Sequence, residues 1–195
     1  MKTTHALAFL VALAILSCPA SAVDQDWLRE WQEAQTHRPA TLASQGRIAP
    51  ASEPGTPLRI SGIVVGPDGV TPEAGAVVFA YHTDTSGVYR ERPGLPWRLR
   101  GWVKTDAGGR FTFETIRPGP YPGHRVPAHV HLTIESAAYG RQHGGLQFAD
   151  DALVSAADRE AAKAKGRFTD VLEVEHAGGT EQVQLAIKLK PRGDF

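Results

Sequence analysis

Short apolar runs alternate with turn residues along most of the chain, and the spacing of these runs predicts strands. Within residues 110–116, Phe111, Phe113 and Thr115 fall on one side of an extended chain, because successive strand side chains point to opposite faces. Clusters such as Gly66-Pro67-Asp68-Gly69 mark the turns. This pattern predicts an all-β fold, an antiparallel β-sandwich. The predicted strands cover residues 58–65, 76–81, 97–105, 110–116, 128–134 and 182–189.

Near the N-terminus, residues 24–37 follow a helical repeat instead. Asp24 can cap the first turn. Trp27, Trp31 and Ala34 then fall on one face of the helix. The sequence leaves open whether this tryptophan-rich face packs on its own sandwich or on a second copy in a homo-oligomer.

The residues after this helix are predicted to form a linker or arm and then one domain. Residues 39–57 combine Pro, Ser, Gly and Ala without periodicity, which predicts an extended linker or a wrapping arm. A surface helix is predicted over residues 155–165, beginning near Ser155 or Asp158. We therefore expect an N-terminal helix and linker arm over residues 23–57, and a β-sandwich domain with peripheral loops over residues 58–195.

The first residues have the pattern of an export signal. Lys2 is followed by an apolar run over residues 6–16 and by the small residues Ala20-Ser21-Ala22. Because the run is too short to span a bilayer, it predicts a removable signal peptide over residues 1–22 and a periplasmic or secreted protein without a transmembrane span. An alternative is a lipoprotein-like cleavage at Ile15-Leu16-Ser17-Cys18, which would anchor the protein by a lipid.

Length, charge and cysteine content limit which kinds of protein and of site the chain can be. The 195 residues suffice for one domain with a sizeable core. Lys and Arg balance Asp and Glu at 21 each, which argues against a nucleic-acid surface or a polybasic membrane patch. Cys18 is the only cysteine, so the body of the protein has neither a disulfide nor a thiolate ligand.

The candidate chemistry begins at His129-Val130-His131. On a strand, both imidazoles project to the same side, close enough to share a metal ion, although such a pair is more often ordinary surface or core histidine. Tyr121 lies on a rigid turn that has three prolines and a glycine within residues 116–122. Tyr89 ends the loop Ser86-Gly87-Val88-Tyr89. Taken singly, each tyrosine has a structural explanation, as a ring packed on prolines or as an ordinary loop residue.

Together these segments resemble the intradiol ring-cleavage dioxygenases, the catechol and protocatechuate dioxygenase family. That family has a tyrosine in a Gly-x-Tyr loop, a Gly-Trp pair with a Thr-Asp turn, then an aromatic strand, Thr-Ile-x-Pro-Gly-x-Tyr and Pro-Ala-His-x-His. The same order runs through residues 58–187 of this chain. The matching segments are Gly87-Val88-Tyr89, Gly101-Trp102, Thr105-Asp106, Phe111-Thr112-Phe113, Thr115-Ile116-Arg117-Pro118-Gly119-Pro120-Tyr121 and Pro127-Ala128-His129-Val130-His131.

The resemblance implies Fe(3+) as cofactor, with Tyr89, Tyr121, His129 and His131 as ligands. By resemblance, Tyr89 and His129 would be equatorial and Tyr121 and His131 axial. Tyr121, released by the substrate, would accept a proton from an aromatic diol, and O2 would then convert the diol to a muconate-type diacid. Phenolates and neutral imidazoles suit a ferric ion, whereas zinc sites rarely use tyrosinate.

The chain departs from the family at one functional position. The family enzymes carry an arginine directly before Pro-Ala-His-x-His, where this chain has Val126, and Arg125 lies one residue earlier. We predict that Arg125 takes that role, with Arg117 and Arg98 as weaker candidates. We expect the β-sandwich itself to be of the prealbumin (transthyretin)-like kind. Two other readings of the function stay open: an iron-holding protein without turnover, and a transthyretin-like β-sandwich that binds ligands without chemistry.

Overall fold

The computed structural model describes residues 24–90 and 97–193, so the predicted signal peptide over residues 1–22 lies outside the described residues. No helix within the described ranges is long and apolar enough to cross a membrane. The helices are α1 (Gln25–Gln35) and α2 (Ala156–Lys165), and a 3-10 turn follows at Gly166–Phe168. The strands are β1 (Gln45–Arg47), β2 (Pro57–Val65), β3 (Val77–His82), β4 (Leu99–Lys104), β5 (Arg110–Ile116), β6 (His129–Ser136), β7 (Gly140–Phe148), β8 (Val171–Leu172), β9 (Glu175–Ala177) and β10 (Thr180–Lys188).

These strands form two five-stranded sheets, in the orders β1-β5-β2-β10-β9 and β4-β3-β6-β7-β8. The inward faces of the two sheets share one apolar core, in which Ile60, Phe113 and Val130 are fully buried. Phe111, Phe113 and Thr115 all lie on the buried face of β5, as their alternation predicts. The predicted all-β sandwich is therefore confirmed.

The prediction that the sandwich is antiparallel is wrong, because both sheets are mixed. Strand β10 runs parallel to β2 over residues 58–65 and 181–188, and β1 with β5 and β7 with β8 are parallel as well. The partners β2 and β10 lie more than a hundred residues apart in the chain, so no local turn signal reports their direction. The prealbumin-like connectivity stays a prediction.

The predicted linker arm contributes to the sandwich itself. Strand β1 lies within residues 39–57 and pairs with β5, and Ile48 and Ala49 directly after it are buried in the shared core. A Cβ at Gly46 would lie 2.8 Å from Cγ1 of Val103, so this position needs glycine for the arm to approach the opposite sheet. Of the two alternatives that the sequence left open for this stretch, the contacts of β1 fit the wrapping arm.

Helix α1 packs on the outer face of the second sheet of its own chain. The Asp24 side chain accepts hydrogen bonds from the backbone N–H groups of residues 26 and 27, which caps the first turn as predicted. Trp31 and Ala34 are buried against Phe79 and Tyr81 of β3. Because the core covers one face of β3 and α1 the other, every residue of β3 is buried. The helix therefore closes the face of the sheet that carries the histidine pair.

His82, at the end of β3, gives the fold a predicted pH dependence. Its side chain is fully buried between the carbonyl oxygen of Thr83 and the hydroxyl of Thr115, each 2.6 Å from a ring nitrogen. Burial lowers the pKa of His82 from 6.5 to about 4, so the unfolded chain binds the proton first. The free energy of unfolding should therefore fall by about 3 kcal/mol as the pH drops from 6.5 to 4.

Urea denaturation of the metal-free protein across this pH range measures the effect. Burial also lowers the pKa of His131 to about 4, so the wild-type slope has a second contribution. His82→Gln removes only the first one and should flatten the pH dependence. Equal slopes for the variant and the wild type would contradict the assignment.

Candidate metal centre

Side chains from three parts of the chain meet at the rim of the second sheet. The hydroxyl oxygen of Tyr121 lies 2.9 Å from Nε2 of His129 and 3.4 Å from Nε2 of His131. The two Nε2 atoms are 3.0 Å apart, and the hydroxyl of Tyr89 is hydrogen-bonded to that of Tyr121. The structure thus brings together the four residues predicted as ligands.

The spacing of these donor atoms suits one metal ion. Two ligand atoms that stand about 2.1 Å from an ion at a right angle are separated by about 3 Å. The separation of 3.0 Å between Nε2 of His129 and Nε2 of His131 agrees with this value. Within residues 24–90 and 97–193, no group of three or more His, Cys, Asp or Glu side chains could hold a metal, so this donor set depends on its two tyrosines.

Strand geometry orients the two histidines. On β6, Val130 points into the core and is fully buried, so His129 and His131 share the outer face. Nδ1 of His129 lies 2.7 Å from the carbonyl oxygen of Pro127, which can only accept a hydrogen bond. In the neutral ring Nδ1 therefore carries the proton, and the lone pair of Nε2 faces the Tyr121 hydroxyl, as a metal ligand requires.

Two glycines bring the two tyrosine loops together. A Cβ at Gly119 would overlap the carbonyl oxygen of Thr85, and a Cβ at Gly87, where φ is +81°, would overlap the carbonyl oxygen of Pro120. The contact is reinforced by the N–H of Gly119, which donates to the carbonyl of Asp84 at 2.8 Å. Only residues without side chains allow the backbones to come this close, so Gly87 and Gly119 set the distance between Tyr89 and Tyr121.

The loop that carries Tyr89 is also held internally. Oδ1 of Asp84 accepts the N–H groups of Ser86 at 2.9 Å and Val88 at 3.1 Å. The carbonyl of Tyr89 accepts the N–H of Arg98 at 2.9 Å, which ties the loop to the start of the segment leading into β4. Tyr89 is therefore fixed from both sides along the chain.

The electrostatics of the cluster favour neutral side chains in the absence of a cation. Burial raises the pKa of Tyr89 above its ordinary value, and the hydrogen bond with Tyr121 raises it further. Burial also raises the pKa of Tyr121, and burial with the neighbouring His129 lowers the pKa of His131 to about 4. Both phenols need a nearby positive charge to ionise, and His131 is already in its neutral, metal-binding form at pH 7.

Sequence reasoning missed Tyr81, which packs directly on the centre. Its ring stacks on His131 at 4.7 Å and 12°, and on Trp97 at 3.8 Å and 3°. Its hydroxyl accepts a hydrogen bond from Nε1 of Trp27 on α1 at 2.8 Å. The signal lies in the pairing of β3 with β6, which sets Tyr81 opposite His131, and that register cannot be read before the sheet is known.

The three candidate arginines have different surroundings. Arg117 pairs with Asp150 at 2.7 Å and with Glu181 at 2.9 Å. Arg98 pairs with Glu53 at 2.8 Å, so carboxylates engage both of the weaker candidates. Arg125 is exposed on the loop before β6 and makes no hydrogen bond or ion pair with the part of the chain that the structure describes. Its role in the chemistry stays a prediction.

Comparisons with known proteins identify the family of the chain. The sequence model of the dioxygenase family, Dioxygenase_C, matches residues 34–192. Catechol 1,2-dioxygenase 1 of Acinetobacter lwoffii is 39% identical over 101 residues, a match that spans 41% of this chain and only 32% of that protein's length.

Solved structures extend the likeness across the fold. The dioxygenase domain of a dioxygenase carbohydrate-binding protein fusion from the cellulolytic bacterium Streptomyces sp. SirexAA-E is 25% identical, with a TM-score of 0.59 over 78% of this chain and 91% of that one. 3-Chlorocatechol 1,2-dioxygenase from Rhodococcus opacus 1CP shares the fold at 23% identity, with a TM-score of 0.61 over 76% of this chain and 65% of that one. The family model covers most of the chain and the motifs follow in the same order, so this protein belongs to the intradiol ring-cleavage dioxygenase family.

Proposed function

We propose that the protein is an exported, non-haem Fe(III) intradiol dioxygenase. It would cleave a catechol-type aromatic diol between its hydroxylated carbons with O2 and release a muconate-type diacid. The observation that carries the proposal is the convergence of the Tyr89, Tyr121, His129 and His131 donor atoms.

The proposed ligand set suits a ferric ion. Two phenolates supply hard anionic oxygen donors and two neutral imidazoles supply borderline nitrogen donors, a combination that favours the ferric over the ferrous state. When bound, the ferric ion would act as a Lewis acid that acidifies the diol and makes its ring reactive towards O2. Tyr89 and Tyr121 would each give up a proton on loading, which the raised pKa of both phenols otherwise opposes.

The protein's own residues would have two further roles: some hold fixed positions, and one accepts a proton from the substrate. His129 and His131 are fixed by β6, by the Pro127 carbonyl and by the stack on Tyr81, so they hold their positions through turnover. Tyr121 is half-buried on a loop, and its oxygen is already a hydrogen-bond partner of Tyr89 and His129. That oxygen is therefore the base best placed to take a proton from an incoming diol.

Export rests on the sequence alone. The apolar run over residues 6–16 and the small residues Ala20-Ser21-Ala22 support a cleaved signal peptide, and Cys18 supports the lipid-anchored alternative. Either route would place the domain outside the cytoplasm.

Iron binding is tested by metal analysis and visible spectroscopy. Protein loaded with ferrous iron in air should hold about one iron per chain and show a broad visible band, because tyrosinate donates charge to ferric iron. Tyr121→Phe should shift this band. A colourless protein that holds stoichiometric zinc after growth in iron-rich medium would contradict the proposal.

An iron-holding protein without turnover is the second candidate, and the exposure of Arg125 favours it. If Arg125 stabilises charge on the substrate, Arg125→Ala should keep iron and colour but lower kcat about a hundredfold or more. The matched control is Arg110→Ala, which removes another exposed arginine at the start of β5 in the other sheet. Ring cleavage at an unchanged rate in Arg125→Ala would show that Arg125 has no such role. Diol binding without oxygen uptake by the wild type would support the second candidate.

A further inference from the structure

We propose that helix α1 is part of the metal centre, and that Trp27 and Glu30 are positioning residues for His131 and Tyr89. The inference rests on the proposed ferric site. It concerns a segment that lies almost wholly before the family match, which begins at residue 34, whereas α1 begins at Gln25.

Trp27 reaches the centre through Tyr81. Its indole Nε1 donates to the Tyr81 hydroxyl at 2.8 Å, and the Tyr81 ring lies nearly parallel to that of His131 at 4.7 Å. Trp97 covers the opposite face of Tyr81 at 3.8 Å. The ring of Tyr81 is stacked on both faces, and its hydroxyl is hydrogen-bonded, so the ring is fixed in position. Because His131 packs on this fixed ring, its own imidazole cannot rotate. The hydrogen bond from Trp27 is what fixes the hydroxyl end of the Tyr81 ring.

Glu30 reaches the centre from the other side. One turn further along α1, its carboxylate pairs with the guanidinium of Arg90 at 2.7 Å. Arg90 directly follows Tyr89, whose ring packs against that of Tyr121 in an edge-to-face arrangement with the ring centres 5.6 Å apart. Both members of the pair are partly exposed, so the ion pair adds little to stability and acts chiefly on the position of the loop.

Together the two contacts fix the two sides of the site to one rigid element. Tyr89 lies on a loop and His131 on β6, and α1 touches the neighbour of each. The spacing between a phenolate ligand and an imidazole ligand thus depends on a helix that supplies no ligand itself. Ligands held in this way would keep their positions while Tyr121 takes a proton from the diol.

The same region of chain offers matched controls. Trp31 also donates an indole hydrogen bond to the sheet, to the hydroxyl of Thr133 at 3.1 Å. Arg38 also makes an ion pair with the sheet, to Glu135 at 3.1 Å. Thr133 and Glu135 lie on the same face of β6 as His131 but further along the strand. Thr133→Val and Glu135→Gln therefore remove the same kinds of contact away from the site, and both leave the ring of Trp31 in place beside Trp27.

The experiment compares Trp27→Phe and Glu30→Gln with these two controls in the iron-loaded full chain. The readouts are the position of the visible band, the half-time of iron removal by a chelator, and the unfolding temperature. We expect Trp27→Phe and Glu30→Gln to shift the band and to speed iron release about tenfold, the scale seen for residues that support metal ligands. The controls should lower the unfolding temperature to a similar extent, with the band and the half-time unchanged. Combining Glu30→Arg with Arg90→Glu should restore the wild-type half-time.

Two results would overturn the inference while the proposed function stands. Unchanged bands and half-times in Trp27→Phe and Glu30→Gln would show that α1 has no role at the centre. Equal changes in all the variants, controls included, would show that the helix acts only through stability. A wild-type protein that takes up no iron would instead overturn the proposed function together with this inference.

Discussion

His131→Ala should lose nearly all of the bound iron and the visible band with it. The variant removes one of two imidazole donors whose Nε2 atoms are 3.0 Å apart, and leaves a gap beside the fixed ring of Tyr81. Loss of an outer-shell partner of a metal ligand costs about 10- to 100-fold in affinity, and loss of a ligand itself should exceed that range. Iron content after dialysis against a weak chelator measures the effect.

The control for this result is His176→Ala. His176 is an exposed histidine on β9, which belongs to the other sheet of the sandwich. It belongs to no predicted ligand set, and its alanine variant should keep iron and colour. If His176→Ala lost iron as completely as His131→Ala, the ligand assignment would be wrong.

Gly87→Ala should disrupt the site nearly as severely, although glycine offers no ligand. The added Cβ would overlap the carbonyl oxygen of Pro120, and the two tyrosine loops would have to separate. Tyr89 and Tyr121 would then no longer reach one ion together. We expect a weak or absent tyrosinate band in an otherwise folded protein, measured by visible spectroscopy beside far-ultraviolet circular dichroism.

Gly123→Ala separates this steric effect from backbone strain. Gly123 has φ +74° and Gly87 has φ +81°, so alanine at either position adopts the same unfavourable left-handed conformation. That conformation costs about 1 kcal/mol at each. A Cβ at Gly123 would meet nothing within 4 Å among the described residues, whereas one at Gly87 would meet backbone. Gly123→Ala should therefore keep its iron. If Gly87→Ala and Gly123→Ala lost iron to the same degree, the effect would be due to backbone strain alone.

The parts of the site encoded by local sequence could be predicted. Two histidines separated by one residue share a strand face whatever the rest of the fold, and β6 places His129 and His131 accordingly. Helix α1 was predictable because its cap at Asp24 and its apolar face lie within one short segment. Helix α2 also begins directly after Ser155, one of the two residues near which its start was predicted. In each case, the signal and the structure span the same few residues.

The parts that depend on pairing could not be predicted. Strand β7 was missed because Gly140, Gly144 and Gly145 give it a weak strand propensity, and it forms by pairing with β6 over eight residue pairs. Strand β1 was missed for a similar reason, since only contact with β5 makes Gln45–Arg47 a strand. The contacts of Tyr81 depend on the same long-range register, so its place beside His131 carries no local signature.

Product analysis under isotopically labelled O2 tests the central claim most directly. The iron-loaded full chain would be given catechol, protocatechuate and larger aromatic diols, and the products would be examined by mass spectrometry. We predict a muconate-type diacid that contains both atoms of O2, formed by the wild type and absent with His131→Ala. Diol binding that shifts the visible band without oxygen uptake, across the whole panel of diols, would contradict it.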